Sequence, residues 1–141
     1  MTEIDALKMY FKTCPFLDVE GEVIKVDMLS ENTGETRPSY TLTVLPAELW
    51  YKRYVDGGGI KKIVFAFQSC AFFDADSDEN TKNIDFYMRL AEWIEENNRA
   101  KIYPSVQGAF RLECMSNGYL MYSEGSSGNY QIQLQLLYCV D

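Results

Sequence analysis

Near the start of the chain, Ile4, Leu7, Tyr10 and Phe11 recur at helical spacing. Thr2 precedes them and Asp5 follows Thr2 by three residues, the arrangement of a capping box in which two side chains satisfy two backbone N–H groups reciprocally. Pro15 ends the predicted helix. Over residues 19–29, Val23, Ile24, Val26 and Met28 alternate with charged positions and predict a strand, and residues 30–38 read as a polar loop. Tyr40, Leu42 and Val44 alternate with threonines, which predicts a second strand over 40–45.

Residues 50–55 and 60–67 flank Asp56-Gly57-Gly58-Gly59, a hairpin signal because glycine accepts the positive φ of tight turns. A phosphate-binding loop would need a Lys-Ser or Lys-Thr pair opening a helix, and Ile60-Lys61-Lys62-Ile63-Val64 reads as a strand. A second helix is expected over 81–99. Its apolar residues, from Ile84 and Met88 round to Phe86, Leu90 and Trp93, sweep roughly 220° at 100° per residue, wider than one sheet-facing stripe requires. The surplus assigned to Phe86, Leu90 and Trp93 suits either a partner subunit or a covering loop.

Two further strands fit residues 110–122 and 129–139. In the second, Tyr130, Ile132, Leu134, Leu136 and Tyr138 alternate with Gln131, Gln133 and Gln135, so one face is buried. The order of elements predicts one α+β domain over residues 1–141, a mostly antiparallel sheet with two helices packed on one face.

Composition narrows the chemistry. The chain is 47% hydrophobic and 24% charged, the profile of a folded domain. Thirteen Lys and Arg against 21 Asp and Glu give a net charge of −8, the wrong sign for gripping nucleic acid through its phosphates. Histidine is absent, which removes the commonest general base, the Ser-His and Cys-His dyads, and imidazole metal sites. Cys14, Cys70, Cys114 and Cys139 form no CxxC pair and lie among apolar neighbours; with no signal peptide and no run of about 18 apolar residues, buried reduced thiols in the cytoplasm and no membrane association are expected.

Few residues remain as candidates for chemistry. Asp74, Asp76 and Asp78 alternate as at the opening of a calcium loop, which would make a carboxylate-dependent metal-binding module or a small metal-dependent enzyme. The match fails at Glu79, where the turn wants glycine, and at Asp85, where it wants a bidentate Glu. The same acids serve as helix-start electrostatics, with Asp78 or Asn80 as cap. Ser69 and Cys70 have no candidate base in sequence view, so no catalytic residue and no cofactor is assigned. Lys52, Arg53, Lys61 and Lys62 gather on the hairpin as a basic patch, either protective edge-strand charge or a docking surface. Aromatic residues there, Trp50, Tyr51 and Tyr54, are interface candidates together with Phe86, Leu90 and Trp93.

Lys52-Arg53-Tyr54-Val55-Asp56-Gly57-Gly58, Phe65-Ala66-Phe67, Asp85-Phe86-Tyr87 and Trp93-Ile94-Glu95-Glu96-Asn97-Asn98-Arg99 together resemble a family of minor capsid proteins encoded in tailed phages and prophages of Firmicutes. Ser116-Asn117-Gly118-Tyr119-Leu120, Asn129-Tyr130-Gln131-Ile132-Gln133 and Leu136-Leu137-Tyr138 resemble that family's closing strands. The likeness covers residues 45–139. It implies a structural virion protein without enzymatic activity, of the tail-terminator or head-tail joining type. Such a protomer belongs to a homo-oligomeric ring, a hexamer in long-tailed phages, that caps the tail tube and contacts the tube protein and the head connector. It also implies assembly in the host bacterial cytoplasm and a final place at the virion neck. DNA would pass through without specific binding, and an acidic channel wall would repel its phosphates.

Overall fold

A computed structural model describes residues 2–15, 25–26, 39–72, 79–124 and 127–141. Among them are two helices, α1 (Glu3–Lys12) and α2 (Glu79–Arg99), and seven strands, β1 (Lys25–Val26), β2 (Ser39–Val44), β3 (Trp50–Arg53), β4 (Gly59–Phe72), β5 (Ala109–Cys114), β6 (Tyr119–Glu124) and β7 (Ser127–Val140). Their order and layering make an α+β fold. The remainder of the strand expected at 19–29, the loop at 30–38 and the acidic run at 74–78 lie outside the described residues.

The capping box forms as its spacing predicts: Asp5 N–H donates to Thr2 Oγ1 at 3.2 Å, and Thr2 N–H donates to Asp5 Oδ2 at 3.2 Å. Two of the helix's otherwise unpaired N-terminal donors are thereby satisfied. The helix then buries Ala6, Leu7, Tyr10 and Phe11. In α2, Asn80 lies within the helix rather than capping it.

At the centre of the sheet, β4 and β7 pair antiparallel over fourteen residues, from Gly59 opposite Val140 to Phe72 opposite Ser127. Strand order is β1-β2-β4-β7-β5, with β3 beside the start of β4 and β6 beside the start of β7. Among the described residues, only β1 with β2 pairs parallel; the other pairs are antiparallel.

Alternation sends Phe65, Phe67, Tyr130, Ile132, Leu134 and Leu136 to one face, where they join Tyr40, Leu42 and Leu112 and both helices in one core cluster. Phe11 of α1 packs on Phe67 at a centroid distance of 4.8 Å, and Tyr87 of α2 meets Phe67 at 6.4 Å and Tyr130 at 6.3 Å. Full burial of each such side chain is worth about 1.5–3 kcal/mol, which fixes both helices on this face.

The opposite face carries the glutamines, and they are joined across strands. Thr43 Oγ1 donates to Gln68 Oε1 at 3.1 Å, Gln68 Nε2 to Gln131 Oε1 at 3.0 Å, and Gln131 Nε2 to the Tyr119 hydroxyl. Gln133 Nε2 reaches the same hydroxyl at 3.3 Å, and Gln135 Nε2 donates to Glu113 Oε2 at 2.7 Å. Gln131 and Gln135 are buried, so these bonds answer a desolvation cost that slipping the register by one residue would expose.

The strand expected over 110–122 is instead two strands on one edge of β7. Opposite Gln133 the chain leaves the ladder: the N–H groups of Met115 and Ser116 both donate to Gln133 O, at 2.7 and 3.4 Å, and Ser116 Oγ accepts from Gln133 N–H at 3.1 Å. The break sits where α2 crowds the sheet. A Cβ added at Gly118 would lie 2.2 Å from the Tyr87 Cβ, so only glycine allows the helix this close.

Candidate functional site

The hairpin of β3 and β4 is built by its loop. Gly57 adopts φ +96°, Tyr54 N–H donates to Gly58 O at 2.7 Å, and Asp56 Oδ1 accepts from Gly58 N–H at 3.1 Å. That aspartate turn lets the two strands meet closely. A Cβ on Gly59 would fall 2.3 Å from Lys52 O.

Pairing then slips by one residue. Trp50 faces Lys61 and Lys52 faces Ile60, which leaves Tyr51 as the extra residue of a β-bulge. In a regular strand Trp50 and Arg53 would point to opposite faces; the bulge puts them on the same one. The Arg53 guanidinium accordingly lies over the Trp50 ring at 4.8 Å and the Lys61 ammonium at 5.1 Å. On the other face Lys52 stands over the Tyr54 ring at 5.6 Å. These are cation–π distances, worth about 0.5–1 kcal/mol each at exposed sites, and they hold the cationic heads in place without neutralising them. Among the described residues, no ion pair within 4.0 Å involves Lys52, Arg53, Lys61 or Lys62.

Apolar side chains surround these cations. Tyr51 is 52% exposed and Tyr54 46%, and Val55, at the tip, is fully exposed. Leu49 precedes the strand and is also exposed. Of the expected interface residues, Trp50, Tyr51 and Tyr54 are therefore brought together at the surface, with Trp50 half-buried by its flanking cations.

The expected surplus face of α2 is corrected. Leu90 is 0% exposed and belongs to the core. Phe86 stacks on Tyr40 at 6.1 Å, and Trp93 packs on Tyr10 at 5.0 Å, so both are half-buried against the core as well. The helix turns the other end of its apolar arc outward, exposing Ile84 and Met88. Aromatic partners on α1 and β2 decide this, and periodicity does not register them.

Other chemical candidates resolve into structure. Ser69 Oγ and Tyr87 OH share a buried hydrogen bond of 2.7 Å, and Tyr87 OH donates to Tyr130 O at 3.2 Å. Burial pushes the Tyr87 hydroxyl well above the usual tyrosine value. Cys14 and Cys70 are buried and Cys114 half-buried; Cys139, expected inside, is exposed on the glutamine face. None of the four forms a disulfide. Burial, aided by the Glu95 carboxylate, pushes the Cys114 thiol up to about 11 and leaves it a poor nucleophile.

Asp74, Asp76 and Asp78 lie outside the described residues, and among the described residues no three His, Cys, Asp or Glu side chains cluster as metal ligands. No described helix is long and apolar enough to cross a membrane. No protein-family model and no curated protein matches the chain. The hairpin, where exposed aromatic side chains stand beside cations that make no ion pair among the described residues, is thus the candidate site.

Proposed function

We propose that this chain is a structural virion protein, a ring protomer of the tail-terminator or head-tail joining type that caps a tail tube and connects it to the head. The observation that carries the reading is the hairpin surface, where Trp50, Tyr51, Tyr54 and Val55 stand with Lys52 and Arg53 as a protruding anchor for another protein. The α+β order of elements agrees with that class of protein.

Residues within the family-like segments support the same reading by what they do. Asn97 donates to the Tyr10 hydroxyl at 3.1 Å, Asn98 bonds the backbone of Leu112, and Gly118 admits Tyr87. These contacts maintain a scaffold. An oligomeric ring needs two different surfaces on each subunit, and a scaffold with one stiff protruding hairpin supplies the first.

Electron microscopy and sedimentation of the purified protein, alone and with the tail-tube protein of the same phage, test the proposal. Rings, or a stable complex with the tube, are the expected result. A protein that remains a monomer in both experiments overturns it.

A further inference from the structure

The outward face of α2 complements the hairpin in shape and in charge. Thr81, Ile84, Asp85, Met88 and Glu92 recur at i, i+3, i+4, i+7 and i+11, which places them on one side of the helix. Ile84, 37% exposed, and Met88, 61% exposed, form with Thr81 and Asp85 a shallow depression of about 380 Å³. Asp85 lines it, and the exposed Glu92 and Glu96 follow one and two turns further along the helix, with the exposed Arg89 beside them; among the described residues none of the three carboxylates makes an ion pair within 4.0 Å.

The apolar parts of the two surfaces, Val55 with Tyr54 and Ile84 with Met88, lie too far apart to meet within one molecule. Tyr87 sits at the level of Ser69 and Tyr130, whereas the hairpin loop lies beyond Gly59 at the other end of β4. Ten strand residues separate Gly59 from Ser69, about 33 Å at the rise of a β-strand. An apolar, cationic projection stands at one end of the sheet and an apolar, anionic depression toward the other.

We infer that the β3–β4 hairpin of one copy docks on the outer face of α2 in a second copy, with Val55 and Tyr54 seated on Ile84 and Met88, and Lys52 and Arg53 facing Asp85, Glu92 and Glu96. The inference rests on the assembly reading above and specifies its subunit contact. Charge complementarity selects a second copy as the occupant: the four hairpin cations are 4 of the chain's 13, and the remaining nine face 21 carboxylates, so the rest of each copy is strongly anionic. Such a contact is heterologous, using different patches on the two partners, and it propagates head to tail until it closes.

Charge exchange tests the pairing. One variant carries Lys52→Glu and Arg53→Glu, the other Asp85→Lys and Glu92→Lys; all four positions are exposed, and thermal melting by circular dichroism verifies that each variant is folded. Sedimentation at physiological salt should show each variant self-associating at least about tenfold more weakly than wild type. An equimolar mixture should recover association, because each hairpin then finds a helix face of opposite sign. The single change Val55→Asp, at a fully exposed side chain, should weaken assembly without altering the melting temperature.

Folded variants that associate like wild type, or a mixture that does not recover, overturn the pairing. Wild-type rings that survive both reversals overturn it while leaving the ring proposal standing. A wild type that stays monomeric alone yet binds the tail tube overturns the self-contact and leaves the joining role; one that does neither overturns both.

Discussion

Asn98 on α2 treats Leu112 on β5 as a strand neighbour would: its Nδ2 donates to Leu112 O at 2.8 Å, and its Oδ1 accepts from Leu112 N–H at 3.2 Å. One side-chain amide thereby occupies both hydrogen-bonding groups of a backbone residue and ties the end of the helix to the sheet. Truncation in Asn98→Ala leaves a part-buried donor and acceptor without partners. The expected loss is about 1–3 kcal/mol, read as a lower denaturant midpoint at unchanged slope. Asn98→Asp keeps the acceptor but sets a carboxylate oxygen against Leu112 O, and should be at least as destabilising at neutral pH.

Gly118→Ala places a methyl group where the Tyr87 Cβ already stands. Either α2 lifts from the sheet or the break between β5 and β6 distorts, at a cost of about 1–3 kcal/mol. Thermal melting measures it. Tyr87→Gly in the same chain removes the clashing Cβ and should relieve the overlap, so the two losses should sum to more than the double variant shows.

Trp93→Ala distinguishes core from interface. Trp93 packs on Tyr10 at 5.0 Å and on Phe11 at 6.4 Å, so its removal should lower stability on the order of 3 kcal/mol. Below the melting temperature, sedimentation should show the association state unchanged. A folded Trp93→Ala protein with lost assembly would contradict the placement.

At low pH the first helix should loosen before the core. Hydrogen bonds from the Thr2 backbone and hydroxyl hold the Asp5 carboxyl below its usual value. Its contribution is full above the unfolded value of 3.8 and disappears as pH falls through the lower folded value. Amide exchange at the start of α1 should therefore accelerate in that window, and in Asp5→Asn the acceleration should be absent.

Alkaline titration should separate the tyrosines. Burial raises the Tyr10 hydroxyl from 10.0 to about 12, against a smaller opposing effect of the Asn97 hydrogen bond. Folding favours its neutral form, so the stability it contributes is full below pH 10 and is lost as pH rises toward about 12. Ultraviolet absorbance should show Tyr10 ionising only as pH approaches about 12, and Tyr87 only on unfolding.

Local signals proved reliable where one segment contains all the interacting parts. The capping box at Thr2 and Asp5 and the hairpin at Asp56 to Gly59 are of this kind, since caps and turns are made by residues a few positions apart. The α+β class followed from the order of such elements. The outward side of α2 was not legible, because Tyr40 and Tyr10 claim Phe86 and Trp93 from distant parts of the chain. Nor was the division of the 109–124 segment, which depends on Tyr87 meeting Gly118. At the candidate site, the basic and aromatic composition was apparent, whereas the bulge at Tyr51 that gathers Arg53 and Lys61 around Trp50 depends on a pairing slip.

Strand β7 lies between β4 on one side and β5 with β6 on the other, and the ribosome makes both neighbours before it. Until residues 127–140 emerge, the growing polypeptide carries a long strand with an open edge and two short ones with nothing to join. Pairing must then span from Phe72 with Ser127 out to Gly59 with Val140, a set of distant closures that slows folding. A translational pause just before Ser127 would leave the nascent chain at its most prone to aggregate, and chaperone demand should peak there.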